Sequence, residues 1–232
     1  MTPERPRKSR CLGLLGGLGV GAAVHYYKQL SLAAEAESRE LDLVMAHART
    51  ARVFEYVDGR DPHGLAAYLN GFLVRLKAAG AEVAVVPAVT PHYCLRELTA
   101  ISPIPILSLF DPLVRELTAR KIRRISVFGT EQVMKAALFG LAGDVEIVAH
   151  RPEELKFLSE TYLALLRTGV GTEEQHAALT ALAFTILERD RVDAIVLAGT
   201  DLSLIFEQGE IEFPYLDCAE LHLQEIRKVI FS

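Results

Sequence analysis

Val83-Ala84-Val85-Val86-Pro87-Ala88-Val89-Thr90 and Ala194-Ile195-Val196-Leu197-Ala198-Gly199-Thr200 decide the fold. Each is a run of small and branched apolar residues of the kind found in strands covered on both faces. Each ends in a small residue, Ala88 or Gly199, followed within two positions by threonine. These two small residues lie 111 positions apart. A second pair, Leu12–Gly16 and Ile125–Gly129, repeats a strand-then-glycine pattern at an offset of 113. Two pairs at nearly one offset predict a duplicated unit.

Outward from these stretches, strands are expected at 11–15, 41–46, 83–87, 104–108, 124–128, 145–149 and 194–198. Helices are expected at 22–36, 63–79, 92–100, 111–120, 131–141, 153–167, 173–189 and 217–230. Strand–helix alternation argues for parallel α/β units. The expected architecture is α/β: two pseudo-symmetric flavodoxin- or Rossmann-like domains, parallel sheets flanked by helices, with a ligand cleft between them. The first domain takes 10–109 and a returning segment, 208–232. The second takes 110–207, and residues 1–9 form a mobile basic tail. In open α/β sheets ligands bind beyond the carboxyl ends of the strands, where all four repeated turns fall.

The chain has 232 residues, a formal net charge of −5, 50% hydrophobic and 24% charged residues. It can bury a core, and its mild acidity argues against nucleic acid as a partner. Cys11, Cys94 and Cys218 form neither a disulfide framework nor a metal-ligand pattern, so reduced thiols in the cytoplasm are expected. Arg5, Arg7, Lys8 and Arg10 before CLGLLGGLGVGAAV have the outline of a secretory signal. The five glycines of that run make a poor apolar helix, and it reads better as strand, glycine turn and helix. No apolar run reaches the ~18 residues of a membrane span.

Gly16-Gly17-Leu18-Gly19-Val20-Gly21 follows a strand and opens a helix, but its spacing is not that of a dinucleotide fingerprint. Phosphate-loop spacing is absent too. A turn that holds a carboxylate fits Gly16 and Gly17 better. Thr90 and Thr200 stand just past strands, where a hydroxyl and a helix-start N–H can hold a carboxylate or simply cap the helix. His92 is a candidate acid–base group or a histidine bonded to backbone. Asp201 is a candidate catalytic carboxylate or a first-turn partner of a helix dipole. Arg49 and Arg52 are candidates to clamp a carboxylate, or a solvated pair. Asp217, Glu220 and His222 lack supporting metal ligands, and an Asp217–His222 hydrogen bond is expected instead.

Taken in order, these motifs resemble the aspartate/glutamate racemase family from about residue 10 to 231. The opening turn is Leu14-Leu15-Gly16-Gly17-Leu18-Gly19, with Tyr26-Tyr27 following. The first loop is Ala88-Val89-Thr90-Pro91-His92, followed by Ile104-Pro105-Ile106-Leu107. The second half carries Val127-Phe128-Gly129-Thr130, Ala198-Gly199-Thr200-Asp201, then Asp217 and His222. The resemblance implies two α/β domains holding an acidic amino acid between them, no cofactor and a homodimer. It also implies an ionisable carrier on each face of the substrate carbon, one removing the proton and one returning it. At those two places this chain has Ala88 and Gly199, neither of which accepts a proton. Val89 replaces the family's asparagine, and Ala23 the threonine that opens the first helix.

Together these readings put Gly16, Gly17, Arg49, Arg52, Val89, Thr90, Thr130 and Thr200 around a small carboxylate, with His92 or Asp201 as the remaining proton carrier. Three readings follow. One is a cofactor-independent isomerase or lyase with altered chemistry. Another is a non-catalytic carboxylate-binding or regulatory homologue. The third is a racemase with a non-standard proton carrier. Metal and membrane have no part in any of them.

Overall fold

The computed structural model describes residues 7–206 and 211–232. The first half runs β1 (Arg7–Lys8), β2 (Leu12–Gly16), α1 (Val20–Ala36), β3 (Arg39–Glu40), β4 (Leu43–His47), α2 (Thr50–Asp58), α3 (Pro62–Ala78), β5 (Val83–Val85), α4 (Leu95–Ile101) and β6 (Ile106–Leu107). The second runs α5 (Phe110–Ala119), β7 (Arg124–Gly129), α6 (Glu131–Lys135), β8 (Glu146–Ile147), α7 (Pro152–Thr168), α8 (Glu173–Asp190), β9 (Ala194–Ala198), α9 (Ser203–Phe206), β10 (Tyr215–Asp217) and α10 (Cys218–Ile230). Short 3₁₀ turns occupy Thr90–Cys94 and Ala137–Gly140.

Two four-stranded sheets form, each wholly parallel. Their orders are β4-β2-β5-β6 and β8-β7-β9-β10. Both place the second strand first, then the first, third and fourth, so the duplication read from the sequence is repeated in strand order. In each sheet the direction of winding reverses beside the first strand of the half, and the loops after β2, β5, β7 and β9 converge there.

Burial follows the pleat. In β5, Val83 and Val85 join Leu12, Leu14, Tyr26 and Leu30, while Ala84 joins Leu15, Leu65, Leu69 and Leu73. The first sheet is therefore covered on both faces. One larger core around Phe128, Val196, Leu165 and Leu197 serves the second half.

The strand expectations hold in place and differ at the ends, because the edge strands β6 and β8 pair over only two residues each. Five elements were not foreseen, the short α9 among them. α2 and β10 lie outside the expected helices and strands, except that Asp217 falls at the start of the expected helix 217–230, and β1 and β3 pair with each other in a small parallel ladder. Residues 1–6 of the expected basic tail lie outside the described residues. The end of that tail is corrected: Lys8 pairs with Asp42 at 2.8 Å, and Ser9 is buried, donating its N–H to the Glu40 carbonyl. The expected helix at 131–141 breaks, because Ala137, Leu138 and Phe139 take positive φ. Of the segment 208–232 assigned to the first half, residues 208–210 lie outside the described residues. The rest divides. β10 joins the second sheet, while Ala219, Leu223, Ile226 and Ile230 of α10 pack into the first core.

Among the described residues no helix is long and apolar enough to cross a membrane. All three cysteines are free and buried.

Asp217 and His222, expected to bond each other, take separate partners. Asp217 caps α10, accepting N–H bonds from Ala219 at 2.7 Å and Glu220 at 3.3 Å, and the Ser203 hydroxyl at 2.9 Å. His222 Nδ1 accepts the Tyr26 hydroxyl at 3.1 Å, and its Nε2–H donates to the Leu107 carbonyl at 3.1 Å. Asp217→Ala is expected to cost about 1–2 kcal/mol and lower Tm by roughly 2–8 °C, with Asp217→Asn losing less, as measured by thermal circular dichroism. Burial, helped by the nearby His92, depresses the His222 pKa to about 3. The unfolded chain then takes up this proton first. The stabilising contribution is complete above the ordinary value of 6.5 and is lost as pH falls towards 3, by roughly 1.4 kcal/mol per pH unit. His222→Gln should flatten that acid limb in urea midpoints measured from pH 7 to 4; an unchanged limb would contradict the assignment.

Candidate functional site

A closed cleft lies between the halves where the four loops converge. Its first-half wall is Leu18, then Thr50, Val53 and Phe54 of α2, then Ala88, Thr90 and Pro91. Its second-half wall is Thr130 after β7 with Tyr162 and Leu166 of α7. None of these side chains carries a charge at neutral pH. The free volume is about 10 Å³, room for roughly one water molecule.

Ala88, Thr90 and Thr130 are thus the sequence-predicted residues that the structure brings to the cavity. The Thr90 and Thr130 hydroxyls meet at 3.1 Å, one from each half. Thr130 Oγ1 also accepts the Val133 N–H at 3.3 Å, capping α6. Two hydroxyls joined by one hydrogen bond use one of their two protons between them. The second remains for an acceptor in the cavity.

His92 is held between backbone groups. One ring nitrogen meets the Ala88 carbonyl at 2.9 Å, and Nε2 accepts the Leu109 N–H at 3.3 Å. That pattern fixes the proton on Nδ1 and leaves the ring no free valence for a ligand. Complete burial, only partly offset by its backbone hydrogen bonds, lowers its pKa to about 4. His92 therefore ties the Ala88 loop to the start of α5.

Thr200 also turns away from the cavity, donating its hydroxyl across the halves to the Pro87 carbonyl at 2.9 Å. Asp201 is 1% exposed. Its Oδ1 accepts the Ala22 N–H at 2.9 Å and its Oδ2 accepts the Tyr162 hydroxyl at 3.2 Å. α1 has no side-chain cap of its own, so this carboxylate from the other half caps it. Burial raises the Asp201 pKa, against the pull of the Ala22 N–H and the Tyr162 hydroxyl. A Cβ at Gly19 would strike the Asp201 carboxylate, which is why that position must be glycine.

The arginines do not clamp the cleft. Arg52 is exposed, reaching Tyr56 by a hydrogen bond of 3.1 Å and lying 5.2 Å over its ring. Arg49 is exposed as well, with its backbone N–H donated to Tyr68. α2 instead offers the cavity Thr50, Val53 and Phe54. Gly16 ends β2 in register with His47, and the Gly17 carbonyl accepts the Thr50 hydroxyl at 2.9 Å. Val89 packs into the second core. None of these three lines the cavity.

Tyr162 was not anticipated. Its ring lies against the backbone of Gly199, so that a Cβ built there would overlap the ring edge and stand 3.0 Å from the hydroxyl. Burial drives its phenol pKa well above the ordinary value, and the Asp201 charge adds to this. Cys94 and Cys218 offer no substitute. Burial raises Cys94 to about 12, its thiol bonded to the Pro91 carbonyl, and raises Cys218 well above the usual thiol range. Among the described residues no group of three or more His, Cys, Asp or Glu is placed to hold a metal ion.

Solved structures of similar fold are racemases or their homologues. An aspartate racemase homologue from Pyrococcus horikoshii OT3 superposes with a TM-score of 0.77 at 22% identity, covering 96% of this chain and 100% of that one. The aspartate racemase of Picrophilus torridus gives 0.77 at 16% identity, covering 94% and 93%. The glutamate racemase of Thermus thermophilus, in complex with beta-chloro-D-alanine, gives 0.62 at 19% identity, covering 94% and 79%. At these identities the likeness shows the fold. The sequence model described as Asp/Glu/Hydantoin racemase matches residues 15–226, and on that match the chain belongs to the Asp/Glu/hydantoin racemase family.

Proposed function

We propose that this protein binds a small carboxylate or carbonyl compound in the interdomain cleft and does not racemise aspartate or glutamate. One observation carries the reading. The Ala88 methyl and the Tyr162 ring, which packs on Gly199, both line the cavity, and positions 88 and 199 are where the resemblance implies proton carriers. A two-base racemisation needs an ionisable group at each. The remaining hydroxyl proton of the Thr90–Thr130 pair supports a ligand oxygen at that point. A neutral wall with no arginine or lysine disfavours a second carboxylate, so the ligand is less polar than aspartate.

An isomerase or lyase delivering a proton from one side only is the second reading. What favours it is Tyr162, whose side chain borders the cavity and whose hydroxyl is bonded to Asp201. Neither reading calls for a cofactor.

Two measurements test the proposal. Incubated in deuterated buffer, neither enantiomer of aspartate or glutamate should exchange its α-proton; measurable exchange overturns the reading. In a thermal-shift panel, short monocarboxylates with apolar side chains should raise Tm more than dicarboxylates. A ligand at 100 times its Kd adds about 2.7 kcal/mol, or roughly 5–10 °C for a chain of this size. Product analysis of any stabilising compound then separates a binder from the one-sided enzyme.

A further inference from the structure

We propose that Tyr162 is the specificity-determining gate of the cleft: its ring stands in the side-chain volume of position 199, and its displacement admits a larger ligand. This rests on the reading that the ligand occupies the interdomain cleft.

The geometry is unusual in one respect. Gly199 directly follows the fully buried strand β9, beside the cavity-lining Tyr162. Here its Cβ would fall within the edge of the Tyr162 ring and only 2.8 Å from Cζ. Real contacts do not reach such distances, so the glycine and the tyrosine require each other. Tyr162 is 5% exposed. It comes from α7, and Leu166 one turn on joins it in the cavity wall. The ring is therefore part of the second-half wall of the cavity. Its polar anchor is the 3.2 Å hydrogen bond to Asp201, and its apolar anchor is contact with the Gly199 backbone.

A phenol ring is far larger than the cavity beside it. Removing the ring would join its volume to the space between Ala88 and Phe54 and create a pocket for an aromatic-sized group, because apolar cavities that cannot collapse take up apolar ligands. The gate thus sets the upper size limit of the ligand, while the Thr90–Thr130 hydroxyls set its polarity.

The test uses benzoate and phenylacetate as probes, with acetate and propionate as small controls, on the full chain by calorimetry and thermal shift. Tyr162→Ala is expected to bind benzoate at least tenfold more tightly than the wild type. Tyr162→Phe keeps the ring, drops the hydroxyl and should bind benzoate as the wild type does. Should Tyr162→Ala not fold, Tyr162→Leu serves in its place. In parallel, Gly199→Cys should lower Tm sharply alone and much less in combination with Tyr162→Ala, where the new thiol should react with a disulfide reagent in the native state. A folded ring-less variant that binds benzoate no better than the wild type, or a Gly199→Cys protein as stable as the wild type with Tyr162 present, overturns the gate. These outcomes separate the two ideas. If the wild type binds acetate or propionate while the ring-less variant gains nothing, the gate fails and the binding reading stands. If the wild type binds none of them while the ring-less variant takes up benzoate, the gate stands and the binding reading fails.

Discussion

A carboxylate shielded from water must find donors, because leaving it unpaired costs several kcal/mol. Asp201 is that carboxylate, and much of the interdomain architecture follows from satisfying it. One oxygen takes the Ala22 N–H, which fixes the start of α1 from the first half against the loop after β9 from the second. The other takes the Tyr162 hydroxyl, which draws α7 over the same loop. Gly19 must be glycine because the carboxylate occupies the place of its Cβ, and Gly199 because the tyrosine occupies its own. Thr200 and the Thr90–Thr130 pair add further hydrogen bonds between the halves. The cleft is closed by the protein's own polar groups.

Much of this architecture is legible in the sequence, since it rests on patterns of local origin. Buried parallel strands need unbroken apolar runs, so β2, β5, β7 and β9 stand out, and the two offsets expose the duplication. The pieces that escape reading have a common cause. β10 is three residues long and follows proline, and it becomes a strand only by pairing with β9. α2 begins at a threonine that makes no side-chain cap and has three charged residues, Arg52, Glu55 and Asp58, on its outer side, so it resembles a polar loop.

The candidate site divides in the same way. That positions 88 and 199 carry alanine and glycine, with no ionisable side chain, is visible because both follow strands that the pattern marks. Missing α2 led directly to misplacing the arginines. Once the segment is helical, Val53 and Val57 turn inward and Arg52 turns out to solvent along the same helix. Tyr162 carries no local mark, for it sits in an ordinary amphipathic helix 37 positions before the glycine it covers. Only the folded chain brings a ring to the place of a missing side chain. His92 and His222 look alike in sequence to acid–base groups, and only their surroundings show both nitrogens committed to framework hydrogen bonds.

The chain passes from first half to second between β6 and α5, and returns between β10 and α10. The two crossings lie side by side. His222, in the second turn of α10, bonds the Leu107 carbonyl at the end of β6, and Arg115 of α5 pairs with Glu225 of α10 at 2.7 Å. Both covalent links between the halves are thereby pinned along one edge. Any relative movement of the halves becomes a swing about that hinge, with the greatest displacement at the edge farthest from it. The histidine, with both ring nitrogens engaged by the framework, is the pin of the axle.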